Sequence, residues 1–135
     1  MTTNYLHSAL TEKIIQAFYE VYNTLGYGFL EKVYENALMI ELEERDLYAE
    51  QQNGVKVYYR RRDIGKYFAD ITVENKVIVE LKSVAAITEE HEAQLVNYLR
   101  ATDIEVGLLL NFGHKPKVVR RVLTQEYKPY HKRKS

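Results

Sequence analysis

The chain opens with two stretches in which apolar residues recur every three or four positions. Leu6, Leu10, Ile14, Phe18, Val21, Tyr22 and Leu25 follow that spacing and predict an amphipathic helix over residues 5–25, ended by Gly26 and Gly28. A second helix is predicted from about Leu30 to Asp46. Leu30, Val33, Tyr34, Ala37, Leu38, Met39 and Leu42 form its apolar side and several glutamates its wet side. The pattern then shortens to β-rich runs at Val55 to Arg60, Tyr67 to Val73 and Val77 to Leu81, set apart by the polar turns RRRDIGK and ENK. Three successive strands predict a meander. Helical spacing returns from Thr88 to Ala101, where Thr88 and His91 make half of a capping box and Glu89 and Glu90 suit a helix's positive end. Val106 to Phe112 is a continuous apolar run, as expected for a strand covered on both faces. From His114 basic and apolar residues alternate, which fits an edge strand, and YKPYHKRKS reads as a frayed tail. The predicted order is ααβββαβ with room for one more strand. It describes one α/β domain over residues 1–125, a mixed central sheet flanked by helices, and a basic, flexible tail over 126–135.

Composition narrows the chemistry more than the fold. With 135 residues, 46% of them hydrophobic, the chain suits a single domain with a respectable core. No apolar run approaches the roughly 20 residues of a membrane span, and the polar start MTTNYLHSALTEK lacks the order of a signal peptide. A cytoplasmic location with no membrane partner is the expectation. The absence of cysteine excludes disulfides, zinc-thiolate sites and a Cys nucleophile, leaving oxygen or imidazole as metal ligands and favouring Mg²⁺ or Mn²⁺. Net charge is zero, yet residues 1–58 carry nine acidic and four basic side chains, and residues 59–135 carry ten and fifteen. A phosphate-facing basic surface and a merely solvated basic tail both explain that asymmetry.

The segment KYFADITVENKVIVELKS places Asp70 within one strand and Glu80 and Lys82 at the end of the next. Side chains two apart on a strand face the same way, so Glu80 and Lys82 project together while Val79 and Leu81 point to the opposite layer. Antiparallel pairing can bring Asp70 beside them. Two ionised carboxylates so close repel each other, and a divalent cation is the simplest way to hold them together. Such an ion would polarise a phosphodiester and acidify water, while Lys82 would orient that water or offset developing charge. Glu-x-Lys alone is not specific: it recurs at Glu74 with Lys76 and at Glu126 with Lys128. Only the pair at Glu80 and Lys82 follows an apolar strand with an Asp on the strand before. A surface ion pair between Asp70 and Lys82 is the plainer alternative.

Two helices contribute further candidates. His91, Gln94 and Tyr98 fall on one face of the helix in TEEHEAQLVNYLRAT, where Gln94 is either a partner for the acidic cluster or a partly exposed residue and Tyr98 suits a core position. Glu31 begins the second helix, one turn before Glu35. Interaction with the helix dipole would account for Glu31, and a solvated face for Glu35, but a helix-borne carboxylate beside the sheet would also complete a metal's coordination.

Gly28, Glu31 and Tyr34 in GFLEKVYENAL, together with FADITVENKVIVELKS, HEAQLVNYLRAT and VGLLLNFG, resemble the GxxExxY proteins, a branch of the PD-(D/E)XK nuclease superfamily. The resemblance spans roughly residues 10–123. It implies a restriction-endonuclease-like αβββαβ core with Asp70, Glu80 and Lys82 as the signature triad. Glu31 would match the superfamily's helix-borne acid, and Gln94 with Tyr98 the Gln-x-x-x-Tyr element of its RecB-like branch. The proline that usually precedes the Asp is Ala69 here, which leaves the ligands intact.

The expectation is therefore a Mg²⁺- or Mn²⁺-dependent nuclease hydrolysing phosphodiester bonds in DNA, for repair, recombination or defence. Asp70 and Glu80 would bind the metal with Glu31 and the carbonyl of Leu81. Lys82 would handle water, Gln94 and Glu31 would assist, and Glu35, His91 and Tyr98 would support. Arg60, Arg61, Arg62, Lys115, Lys117, Arg120 and Arg121 are the candidate phosphate contacts. A homodimer would let so small a domain engage both strands of a duplex. Two rivals are a non-catalytic nucleic-acid or protein-binding adaptor that keeps the nuclease fold, and a structural or toxin-related interaction protein with an incidental carboxylate pair.

Overall fold

Three helices lie on the two faces of a five-stranded sheet in the computed structural model, which describes residues 6–128. In chain order they are α1 (Ser8–Leu25), α2 (Glu31–Glu44), β1 (Ala49–Tyr59), β2 (Arg62–Val73), β3 (Val77–Lys82), α3 (Glu89–Arg100), β4 (Val106–Asn111) and β5 (Lys117–Val122). The strands stand side by side in that same order. β1, β2 and β3 form the expected antiparallel meander, α3 crosses over to a parallel β4, and β5 returns antiparallel as the edge. The optional last strand is thus present. Tyr5, the predicted start of the first helix, lies outside the described residues.

Periodicity decides which face each element buries. Ile14, Phe18 and Val21 of α1 and Tyr34, Leu38 and Leu42 of α2 pack with Ile71, Val79, Leu81 and Leu108 on one side of the sheet. Leu95 and Leu99 of α3 meet Ile78, Leu109 and Val119 on the other. β4 is buried at every position, as its unbroken apolar run requires. Each large apolar side chain so buried contributes about 2 kcal/mol.

Four expectations change. The seven residues RRRDIGK are not a turn: β1 and β2 are joined by Arg60 and Arg61 alone, at φ 49° and 69°, and Arg62 already belongs to β2. A two-residue hairpin turn of this hand needs positive φ at both positions and favours Asn-Gly; an arginine pair there costs about 1–2 kcal/mol per residue. Second, Thr88 and His91 complete the capping box, since His91 Nδ1 accepts from the Thr88 amide and Thr88 Oγ1 from the His91 amide. Third, Glu35 is not on a solvated face but buried. Fourth, residues 126–128 are docked rather than frayed. Gln125–Tyr127 form a 3₁₀ turn, and the ammonium of the fully buried Lys128 donates to the carbonyls of Thr102 and Ile104. Burial lowers the Lys128 pKa to about 8 against the opposing pull of Glu105 and Asp103.

The end of β3 is held from β4. Buried Asn111 accepts from the Val84 amide (3.0 Å) and the Gly113 amide (3.1 Å) and donates to the Val84 carbonyl (2.9 Å), while Phe112 N donates to Lys82 O (2.7 Å). A β-carbon at Gly113 would run into the Val84 carbonyl oxygen, so only glycine lets the two loops lie this close. Asn111→Ala should therefore cost about 2 kcal/mol in urea unfolding, because it orphans the buried Gly113 amide and two half-buried groups of Val84. A loss below about 1 kcal/mol would show that this bridge is dispensable.

Candidate active site

Alternation along β3 sends Val79 and Leu81 into the layer under α1 and α2 and turns Ile78, Glu80 and Lys82 the other way. The register of β2 against β3 runs Val73 to Val77, Thr72 to Ile78 and Ile71 to Val79, and then stops. Asp70 and Glu80 would be the next pair. Instead of a backbone ladder, the Asp70 amide donates to Glu80 Oε2 (2.9 Å) and the Leu81 amide to Asp70 Oδ2 (2.9 Å). Each carboxylate thus replaces a carbonyl of the opposite strand, and the two are locked together.

The break extends to β1. Continuing the register places Gln52 opposite Asp70, and Gln52 is left-handed at φ 53° and missing from the ladder. β2 also loses its strict alternation there: Ile71 and Val73 pack under α1 and α2, whereas Ala69 packs with α3 and Tyr67 stacks on Tyr98. A sheet interrupted along one row, Gln52 to Asp70 to Glu80, sets polar side chains where a continuous sheet would carry apolar ones.

Electrostatics reflect this packing. Glu80 is only 6% exposed, and its pKa is raised to about 8 by burial first and by the charge of Asp70 second, with a smaller push from Glu31; the Asp70 amide and Lys82 pull it back. Burial also raises Asp70, as does the charge of Glu35, against the Leu81 amide, Gln52 and Lys82. Both directions describe two carboxylates short of positive charge.

The flanking residues divide by role. Glu35 accepts from Lys32 (2.9 Å), Gln51 (2.7 Å) and Gln52 (3.1 Å), so Gln52 links α2 to Asp70. Glu31 is exposed in the first turn of α2 and reaches Glu80 through charge. Tyr34 is the buried anchor of the loop before α2: its hydroxyl donates to the Gly26 carbonyl, accepts from the Phe29 amide (3.2 Å), and its ring stacks on Phe112 at 4.4 Å. Gly28 turns that loop at φ 112°. On α3, Gln94 is exposed and hydrogen-bonds Tyr98, whereas His91 is spent on the helix cap. Tyr98 stacks on Tyr67 at 3.7 Å and 13°, and both hydroxyls are raised, by burial and then by neighbouring charge that includes Glu80. The Tyr67 hydroxyl is buried without a hydrogen-bond partner. Gln52 and Tyr67 escaped the sequence reading; a tyrosine three residues before the Asp was the one available hint.

Of the candidate phosphate contacts, Arg60, Arg61, Arg62, Lys115 and Lys117 are exposed. Arg120 is tied to the Leu6 carbonyl and Arg121 to Glu92, which weakens their candidacy.

Among the described residues, no three His, Cys, Asp or Glu side chains are placed to hold a metal ion. The donor set nevertheless suits a hard ion. Mg²⁺ commonly takes one or two carboxylates and keeps several waters, and Asp70 and Glu80 are two carboxylates wanting positive charge.

A splayed strand pair carrying Asp on one strand and Glu-x-Lys on the next, set in an αβββαβ frame, is the feature that comparison with known proteins tests. The family model described as the PD-(D/E)XK nuclease superfamily matches residues 8–122. The chain belongs to that superfamily. The three helices and mixed sheet are its restriction-endonuclease-like α/β fold. Among solved structures, the chain is similar to one titled "Crystal structure of SSO0001", at 19% identity and a TM-score of 0.53. That match covers 90% of this chain but only 60% of the other, and it shows the fold alone. No curated protein matches. Membership makes this a nuclease-like protein; among the described residues no helix is long and apolar enough to cross a membrane.

Proposed function

We propose that this chain is a Mg²⁺- or Mn²⁺-dependent nuclease acting on DNA, of the GxxExxY branch, in repair, recombination or defence. The observation that carries the reading is the broken ladder at Asp70 and Glu80, where the buried Glu80 carboxylate and the half-buried Asp70 carboxylate each bond a backbone amide of the other's strand. Asp70 and Glu80 would hold the ion. The Leu81 amide turns to the β2 side, and the carbonyl of the same residue faces that way too, so it would add a ligand; Glu31 would assist through water. A divalent cation bound there supplies positive charge to a phosphodiester and acidifies water. Lys82, on the same strand face as Glu80, would orient the attacking water and offset negative charge building on the phosphoryl oxygens. Gln52 and Gln94 hold Asp70 and Tyr98 in place. Arg60, Arg61, Arg62, Lys115 and Lys117 contact phosphates.

The test is incubation of labelled single-stranded, duplex and branched DNA, and of RNA, with Mg²⁺, Mn²⁺ or chelator. Metal-dependent cleavage of DNA is the expected result. One observation favours the adaptor reading instead: only two carboxylates converge among the described residues. A protein that cuts no substrate, and whose melting temperature does not respond to either metal, would be that adaptor.

A further inference from the structure

We infer that the β1–β2 hairpin beyond the sheet is a groove-probing arm that grips B-form duplex DNA on one side of the cleavage site. The inference rests on the nuclease reading and names its substrate class. β3 pairs with β2 only from Ile71 to Val73, so from Phe68 to Arg62 the hairpin continues as a two-stranded ribbon without a third strand, one face resting on α3 where Tyr67 stacks on Tyr98. Over residues 54–68 it carries Lys56, Arg60, Arg61, Arg62 and Lys66 against the single acid Asp63, a net charge of +4 in a chain whose total is zero. Asp63 lies 3.9 Å from Lys56 across the ribbon, and among the described residues no acidic side chain pairs with the three arginines. Exposed aromatic rings alternate with these cations: Arg60 lies over Tyr59 at 5.6 Å and Lys66 over Phe68 at 5.2 Å.

The tip is also strained. Arg60 and Arg61 hold left-handed backbone where asparagine and glycine would sit without penalty. Strain kept at an exposed position signals a demand other than folding, and here the demand is for two guanidinium groups at the end of the arm. The size fits a duplex. A two-stranded ribbon enters the major groove of B-DNA, whereas that of A-form RNA is too narrow for side chains to read. Arg62 is eight residues from Asp70, about 26 Å along an extended strand, or about eight base pairs at 3.4 Å each.

The experiment separates this from the catalytic reading by measuring binding alone, in chelator, to labelled duplex DNA of about 20 base pairs, to single-stranded DNA and to duplex RNA. The variant is Arg60→Asn with Arg61→Gly, which installs the preferred turn. The expected result is a melting temperature raised by several degrees, duplex-DNA affinity reduced at least about tenfold, and a salt slope about 2 units shallower. Wild type should prefer duplex DNA to the other two ligands. Unchanged affinity in the double variant overturns the arm even if wild type cuts DNA with metal. Equal or tighter wild-type binding to single strands or duplex RNA also overturns it. Arm-dependent duplex binding by a protein that never cleaves leaves the arm standing and removes the nuclease.

Discussion

Metal-dependent cleavage should fall about a thousandfold in Glu80→Ala, and the melting-temperature gain on adding Mg²⁺ should vanish with it. Lys82→Ala should lose about a hundredfold in cleavage and keep the gain. The two side chains share a strand face two residues apart, but their chemistry differs. Glu80 is buried, accepts from the Asp70 amide, and stands beside Asp70 at the break in the sheet; without it a hard cation would keep one anionic ligand from the pair. Losing Lewis-acid assistance worth several kcal/mol translates to about a thousandfold in rate. In the proposed mechanism Lys82 would hold no metal but position water and answer charge, an effect of about a hundredfold or more. Metal at about a hundred times its Kd should stabilise wild type by about 2.7 kcal/mol, a shift of several degrees that differential scanning fluorimetry reads directly. If Glu80→Ala still cuts, or still gains stability from Mg²⁺, the centre lies elsewhere. If Lys82→Ala also loses the gain, Lys82 is needed to build the site rather than to run it.

Without metal, Glu80→Gln should make the protein more stable than wild type at about pH 8, and the advantage should disappear near pH 4.5. Glu80 has a folded-state pKa raised to about 8 from an ordinary 4.5, caused first by burial and then by Asp70. Below about 4.5 the group is protonated whether the chain is folded or not, and carries no penalty. As pH rises through that window, unfolding releases a proton the fold had retained, so stability falls; above about 8 the loss is complete. The full difference is on the order of 3–5 kcal/mol. Asp70, raised by burial and by the charge of Glu35, adds to the slope in wild type and leaves part of it in the variant. The glutamine carbonyl still accepts from the Asp70 amide, so the substitution removes charge and little else. Urea unfolding in chelator across that pH range measures the effect. Parallel curves for the two proteins would mean that Glu80 is not held neutral by its surroundings, and the link between burial and metal demand would be lost. Saturating Mg²⁺ at pH 8 should reverse the order, since only wild type offers both carboxylates.

How far the sequence reached depended on how local the information was. The three-to-four spacing in α1 and α2 and the apolar runs of β3 and β4 state which sides of an element are dry, so element order and fold class were readable from residues. The two-residue repeat of a strand placed Glu80 and Lys82 on one face, and a tight turn brought Asp70 within reach. Gln52 was not readable, because its place depends on strand register across β1 and on a left-handed backbone that glutamine does not advertise. Tyr67 needed the knowledge that β2 changes sides at Asp70. Glu35 looked solvated on its own helix and is buried by Gln51 and Gln52 from another element. At the ribbon tip local preference misled outright: RRRDIGK read as a seven-residue polar turn, yet two of its arginines alone make the turn and the third begins β2.

The sequence by itself determined the elements, their order, their buried faces and the acid and base types at the end of β3, because each is written in the period of neighbouring side chains. Only the tertiary structure decided that the ladder opens at Asp70, that its carboxylate and that of Glu80 take over the missing backbone bonds, and that their charge goes unbalanced. Those outcomes arise between strands rather than along them, where register, twist and burial are settled by the whole sheet at once.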